Sequence, residues 1–153
     1  MNYTMASHPT MYKRTRFRSR LEARYAALFD LLTMQWEYEP LDLEGWTPDF
    51  LVKIPCYHSE CRYDTDHPYY HEILVEVKPY SRVEEFAGHK FNEYNRPYEC
   101  AAIGLGLHPT ISTQWEMSHG AGGGMYCFPP WRIEGHCLED DWAEAGNVTR
   151  WRP

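Results

Sequence analysis

Between Ser19 and Leu32 the apolar residues Leu21, Tyr25, Leu28, Phe29 and Leu32 recur at steps of three and four, and so fall on one side of a 3.6-residue helix. The spacing predicts a first helix there. The period then changes to two. Gln35 to Glu39 alternates Trp36 and Tyr38 with polar neighbours, which predicts a short strand closed by Pro40. A turn-rich passage to Gly45 leads into a second expected strand, about Trp46 to Ile54, and Glu72 to Pro79 reads as a third. Ser81 with Glu84 three residues on has the spacing of a capping box and predicts a second helix. That helix ends near Asn95, because Pro97 blocks its continuation. The apolar run from Ala101 to Leu107 predicts a fourth, inner strand.

The order helix, three strands, helix, strand predicts an α/β (α+β) chain whose mixed central sheet is flanked by helices on both faces. Residues 1–11 lack any periodic pattern and read as a loose arm, leaving 12–153 as one domain with a core over 17–107 and a C-terminal extension over 108–153. The 153 residues suffice for a single sizeable core. Within the extension, Gly120 to Gly124 reads as a turn, Met125 to Ile133 as an extra strand or hairpin, and Glu139-Asp140-Asp141 as a solvated face. An aromatic fraction of 16% predicts a core built from large rings.

Charge changes this picture locally. The net charge of -7 argues against indiscriminate nucleic-acid binding, yet between Met11 and Arg24 six cations (Lys13, Arg14, Arg16, Arg18, Arg20 and Arg24) face the single acid Glu22. That window carries +5 and leaves -12 for the remainder. Such a stripe either tracks a phosphate backbone or is the solvated start of a helix.

The candidate chemistry lies in two strings, Thr47-Pro48-Asp49-Phe50 and Ile73-Leu74-Val75-Glu76-Val77-Lys78. On a strand, Glu76 and Lys78 project from one face and Val75 and Val77 from the other. If the strand after Asp49 pairs with this one, two carboxylates and an ammonium converge, a set suited to hold Mg²⁺ or Mn²⁺ through oxygen and to poise a water against a phosphodiester. Glu22 on the first helix is a further candidate acid. His89, Lys90 and Asn92 either touch phosphate or face water.

Pro48-Asp49 and Glu76-Val77-Lys78 resemble the two halves of the PD-(D/E)xK nuclease motif. Phe17-Arg18-Ser19-Arg20-Leu21-Glu22, Trp36-Glu37-Tyr38-Glu39-Pro40 and Thr47-Pro48-Asp49-Phe50-Leu51 extend the resemblance to phage-type Holliday junction endonucleases and the nuclease subunits of certain transposases. The resemblance covers about residues 17–107. It implies a restriction-endonuclease-like core and a divalent-metal-dependent DNA endonuclease, phage- or mobile-element-encoded, that leaves 5′-phosphate and 3′-hydroxyl ends. It also implies metal ligation by Asp49, Glu76, the Val77 carbonyl and Glu22, with Lys78 as the lysine. Lys13, Arg14, Arg16, Arg18, Arg20 and Lys90 are the expected DNA-binding cations, with a homodimer or a DNA-selecting protein as further partners.

Two alternatives stand beside this expectation. One is a nuclease-fold protein that serves as a binding, assembly or inhibitory factor in a complex; the other is an exonuclease that needs a DNA end. No apolar run reaches membrane-span length and no apolar signal core follows the N-terminus, so the expected setting is the cytoplasm of a bacterium or of a phage-infected host cell. Cys56, His58, Cys61, His67 and His71 offer enough nitrogen and sulfur for a structural zinc, with Cys56, His58, Cys61 and His71 as the expected ligands.

Overall fold

The computed structural model describes residues 8–55, 70–94, 99–105, 114–116, 125–126 and 137–150. The expected loose arm is corrected at its end. β1 (Thr10–Tyr12) pairs antiparallel with β2 (Thr15–Phe17) in a two-stranded hairpin. Its turn is Lys13-Arg14, both at positive φ (43° and 65°). Much of the basic stripe therefore lies on a ribbon rather than on a helix start. The reason is Phe17: its ring packs on Tyr38 at 4.5 Å and on Phe50 at 6.0 Å, which anchors β2 to the core.

Helix α1 (Arg20–Leu31) is the predicted first helix. Ser19 caps it, accepting the backbone N–H of Glu22 at 3.1 Å. Its buried surface is broader than the apolar stripe suggests and includes Ala23, Ala26 and Ala27. These small residues lie on the helix that α2 (Leu138–Val148) packs against. There Trp142 stacks on Tyr25 at 4.7 Å, and the Arg24 guanidinium lies 3.8 Å over the Trp142 ring. Part of the expected C-terminal extension thus belongs to the main core, where Ala145 is fully buried. The acidic run lies in the first turn of α2, with Glu139 and Asp140 exposed and Asp141 half-buried, where negative charge complements the helix dipole.

The main sheet is mixed and six-stranded, in the order β3 (Gln35–Tyr38), β4 (Phe50–Pro55), β5 (Tyr70–Val77), β6 (Glu99–Ile103), β7 (Gln114–Glu116), β8 (Met125–Tyr126). β3, β4 and β5 run antiparallel; β5 and β6 are parallel, with Glu76 opposite Ala102. The second expected strand starts late. Leu43 and Trp46 close a tight turn through Gly45 (φ 78°), and Pro48 has no N–H to donate, so regular pairing begins at Phe50. Met125–Tyr126 is the only part of the expected Met125–Ile133 hairpin among the described residues. The Gly120–Gly124 turn lies outside them.

The predicted second helix is also corrected. Two 3₁₀ turns, Val83–Phe86 and Lys90–Glu93, replace it. Gly88 adopts φ 79° and His89 is extended, which breaks the helical path between them. The cap is made by Glu85, not Glu84: its carboxylate accepts from Ser81 and Arg82 N–H at 2.8 and 3.0 Å. One sheet face (Phe50, Val52, Ile73, Val75, Val77) packs with α1 residues into the larger core. The other (Leu74, Cys100, Ala102) packs on Trp46, Phe86 and Phe91. The coarse expectation of a mixed sheet covered on both faces holds, but 3₁₀ turns and a loop supply the second cover. Among the described residues no helix is long and apolar enough to cross a membrane.

Candidate active site

The β4/β5 register sets the chemistry. Phe50 lies opposite Val75, so Asp49, one step earlier, arrives beside Glu76. Asp49 is 2% exposed. Its Oδ2 accepts the Val77 N–H at 2.7 Å and its Oδ1 accepts from Arg18 at 3.0 Å. Burial, then the negative charges of Glu76 and Glu22, push the Asp49 carboxyl up to about 7, against the opposing Val77 hydrogen bond and Lys78 charge. Three carboxylates therefore share one poorly hydrated region.

Glu76 is 3% exposed and has three partners. Trp46 Nε1 donates to its Oε2 at 2.6 Å, while Lys78 Nζ and His89 Nε2 approach its Oε1 at 3.0 and 3.3 Å. Burial works to lower the Lys78 pKa, but the charge and hydrogen bond of Glu76, followed by the charge of Asp49, outweigh it and raise the value. Lys78 is thus held as an ammonium at neutral pH, suited to charge stabilisation and not to proton abstraction. Glu22 is buried in the first turn of α1, and its Oε2 accepts from Tyr38 Oη at 2.5 Å. Burial and this bond both raise the Tyr38 phenol. Tyr38 Oη in turn accepts the Arg18 backbone N–H at 3.1 Å.

These groups border a cleft of about 440 Å³ lined by residues that include Arg18, Arg20, Glu22, Asp49, Lys78 and Leu105. The cleft opens at the carboxyl ends of the parallel strands β5 and β6, a common location for ligands in sheets covered by helices. Ser19 and Glu22 bring the amino end of α1 to the same rim, where its dipole favours an anion. No family model, curated protein or solved structure matches the chain.

Glu22, Asp49 and Lys78 meet in the cleft, whereas the Glu76 carboxylate sits beside it under Lys78. Arg18, expected on DNA, bonds Asp49 and also Glu39 at 3.0 Å. Lys13 pairs with Asp30 at 3.0 Å, and Arg14, Arg16 and Arg20 are exposed. Lys90 pairs with Glu93 at 2.7 Å and packs near Gly45, outside the cleft lining. His71 bonds Glu99 at 3.0 Å, and the other expected zinc ligands, Cys56, His58 and Cys61, lie with His67 outside the described residues.

Tyr38, Trp46 and His89 are the residues near the acids whose roles the sequence pattern did not reveal. Tyr38 reads there only as the alternating position of a strand. Trp46 reads as a strand start, and His89 has no sequence signal that joins it to Glu76, since thirteen positions separate them.

Among the described residues no group of three or more His, Cys, Asp or Glu side chains forms a self-contained metal cage. Mg²⁺ usually takes one or two carboxylates and completes its shell with water and substrate phosphate, so Asp49 and Glu76 are the side chains that could serve as its ligands here.

Proposed function

We propose that this protein is a divalent-metal-dependent DNA endonuclease with a restriction-endonuclease-like core, which hydrolyses phosphodiester bonds to 5′-phosphate and 3′-hydroxyl ends. The observation that carries the reading is the pairing of β4 with β5, which sets buried Asp49 beside Glu76 and Lys78 at the mouth of a cleft. Asp49 and Glu76 would hold Mg²⁺ or Mn²⁺ together with the Val77 carbonyl, and Glu22 would act on the ion's water shell from the cleft wall. When bound, the ion neutralises phosphate charge and lowers the pKa of a coordinated water.

The chain's own groups do the rest. Trp46 and His89 fix the Glu76 carboxylate, and neither lines the cleft. Lys78, kept charged, stabilises negative charge that develops on the phosphorane-like transition state. Arg18 and Arg20 face the same opening and attract the substrate backbone.

The deciding measurement is cleavage of supercoiled, linear, branched and single-stranded DNA by the full chain with Mg²⁺ or Mn²⁺ and with chelator. Metal-dependent nicking of the circular substrate is expected, and Asp49→Ala or Lys78→Ala should reduce it by at least a hundredfold. Cleavage only of substrates with ends would convert the reading to an exonuclease. No cleavage of any substrate, together with retained biological function in both variants, would favour a binding or assembly role.

A further inference from the structure

The basic stripe forms a ladder. From Arg14 onward the chain alternates exposed Arg14, half-buried Thr15, exposed Arg16, fully buried Phe17 and exposed Arg18. A period of two places Arg16, on β2, about 7 Å from Arg18 just past its end, comparable to the step between neighbouring phosphates on one nucleic-acid strand, and Arg14 adjoins them from the turn. The ladder leads to the reactive groups, because Arg18 touches Asp49 and lines the cleft. Both ends of the hairpin meet that rim, since His8 before β1 and Arg18 after β2 are lining residues.

The hairpin is held in place. Tyr12 Oη donates to Asp30 at 2.7 Å, Lys13 pairs with the same carboxylate, and Phe17 is sealed in the core. Its turn places two long cationic side chains, Lys13 and Arg14, in the left-handed region, where Asn-Gly is the ordinary choice. That conformation costs about 1 kcal/mol or more per residue. Among the described residues Arg14 and Arg16 form no ion pair that offsets it, although the chain outside Met11 to Arg24 carries -12. Met11 stands opposite Arg16 and is 62% exposed, an apolar neighbour for sugar or base edges.

We propose that the β1–β2 hairpin is a phosphate-tracking ladder, in which Arg14 and Arg16 contact successive phosphates of one DNA strand and lead it to Arg18 at the Asp49 cleft. This inference rests on the DNA reading of the site. It assigns the strand's approach to the hairpin and takes it away from Lys90, which is paired outside the cleft lining.

The test separates binding from chemistry. Binding of a duplex DNA oligonucleotide is measured in chelator across a salt series, with the full chain carrying Asp49→Asn in every case. Adding Arg14→Gln and Arg16→Gln should weaken binding at least tenfold at low salt and make the slope of log affinity against log salt shallower by about two. Arg150→Gln, a neutralisation after α2, should leave both unchanged. Equal affinity and slope with and without the two arginines overturns the ladder, as does an equal loss in the Arg150→Gln control or tighter binding of the corresponding RNA duplex. Absence of duplex binding by the parent also overturns it. If the ladder variant loses binding but unmodified protein cuts no DNA with metal, the chemistry fails and the ladder stands. If unmodified protein cuts DNA while Arg14→Gln/Arg16→Gln binds normally, the ladder fails and the chemistry stands.

Discussion

Asp49 is the residue in which stability and chemistry conflict. Its carboxyl is pushed from 3.8 to about 7 by burial and by the Glu76 and Glu22 charges, so the folded chain holds a proton that the unfolded chain releases. A raised acid destabilises the fold as pH climbs: stability falls between about pH 4 and pH 7 and stays reduced above it. Asp49→Asn keeps an oxygen to accept the Val77 N–H and removes the trapped charge. A melting temperature several degrees above the parent's at pH 8, with the difference vanishing near pH 4, is expected from thermal melts, together with loss of metal-dependent cleavage. Tyr38 is the complementary case. Tyr38→Phe retains the ring contacts with Phe17 and Phe50 but strips the hydroxyl from a carboxylate that is only 7% exposed. A loss of about 1–2 kcal/mol in chemical denaturation is expected, and it should shrink when Glu22 is already Gln, since the two form one interaction.

At the scale of elements, Gly88 explains why the capping signal at Ser81 did not produce an α-helix. Its φ of 79° turns the chain between two 3₁₀ segments, and a Cβ there meets nothing within 4 Å. Gly88→Ala therefore tests backbone conformation without a packing clash, and denaturation should show a loss of about 1 kcal/mol. That break has a consequence for the site: it lets His89 restart the chain with its ring against Glu76 while its Nδ1 accepts the Phe91 N–H at 3.1 Å. The first helix and the strand at Gln35 were legible because the local period was clear in both and Pro40 closed the strand. The 81–95 segment misled because a capping box states where a helix can begin and carries no information on whether a left-handed glycine interrupts it.

At the scale of the whole molecule, α1 is clamped between the sheet and α2. Tyr25, fully buried, stacks on Trp142 and donates from Oη to the Gly104 carbonyl at 2.6 Å, so one side chain ties α2, α1 and the end of β6 together. Trp142→Ala removes the stack on Tyr25 and the surface under Arg24; a loss of about 2–3 kcal/mol by denaturant titration is expected. Because α1 carries Ser19, Arg20 and Glu22 to the cleft rim, cleavage should fall in the same variant even though Trp142 is no lining residue.

The alternation that puts Glu76 and Lys78 on one strand face, the apolar stripe of α1, and the concentration of cations around Glu22 were all readable from the chain, because each follows from local spacing. The fold was needed to show that Asp49 stands beside Glu76, that Tyr38, Trp46 and His89 hold the acids, and that the cations form a ribbon leading to a cleft. Those depend on strand register and on contacts between residues far apart in the chain, and the pattern of neighbouring residues does not encode such contacts.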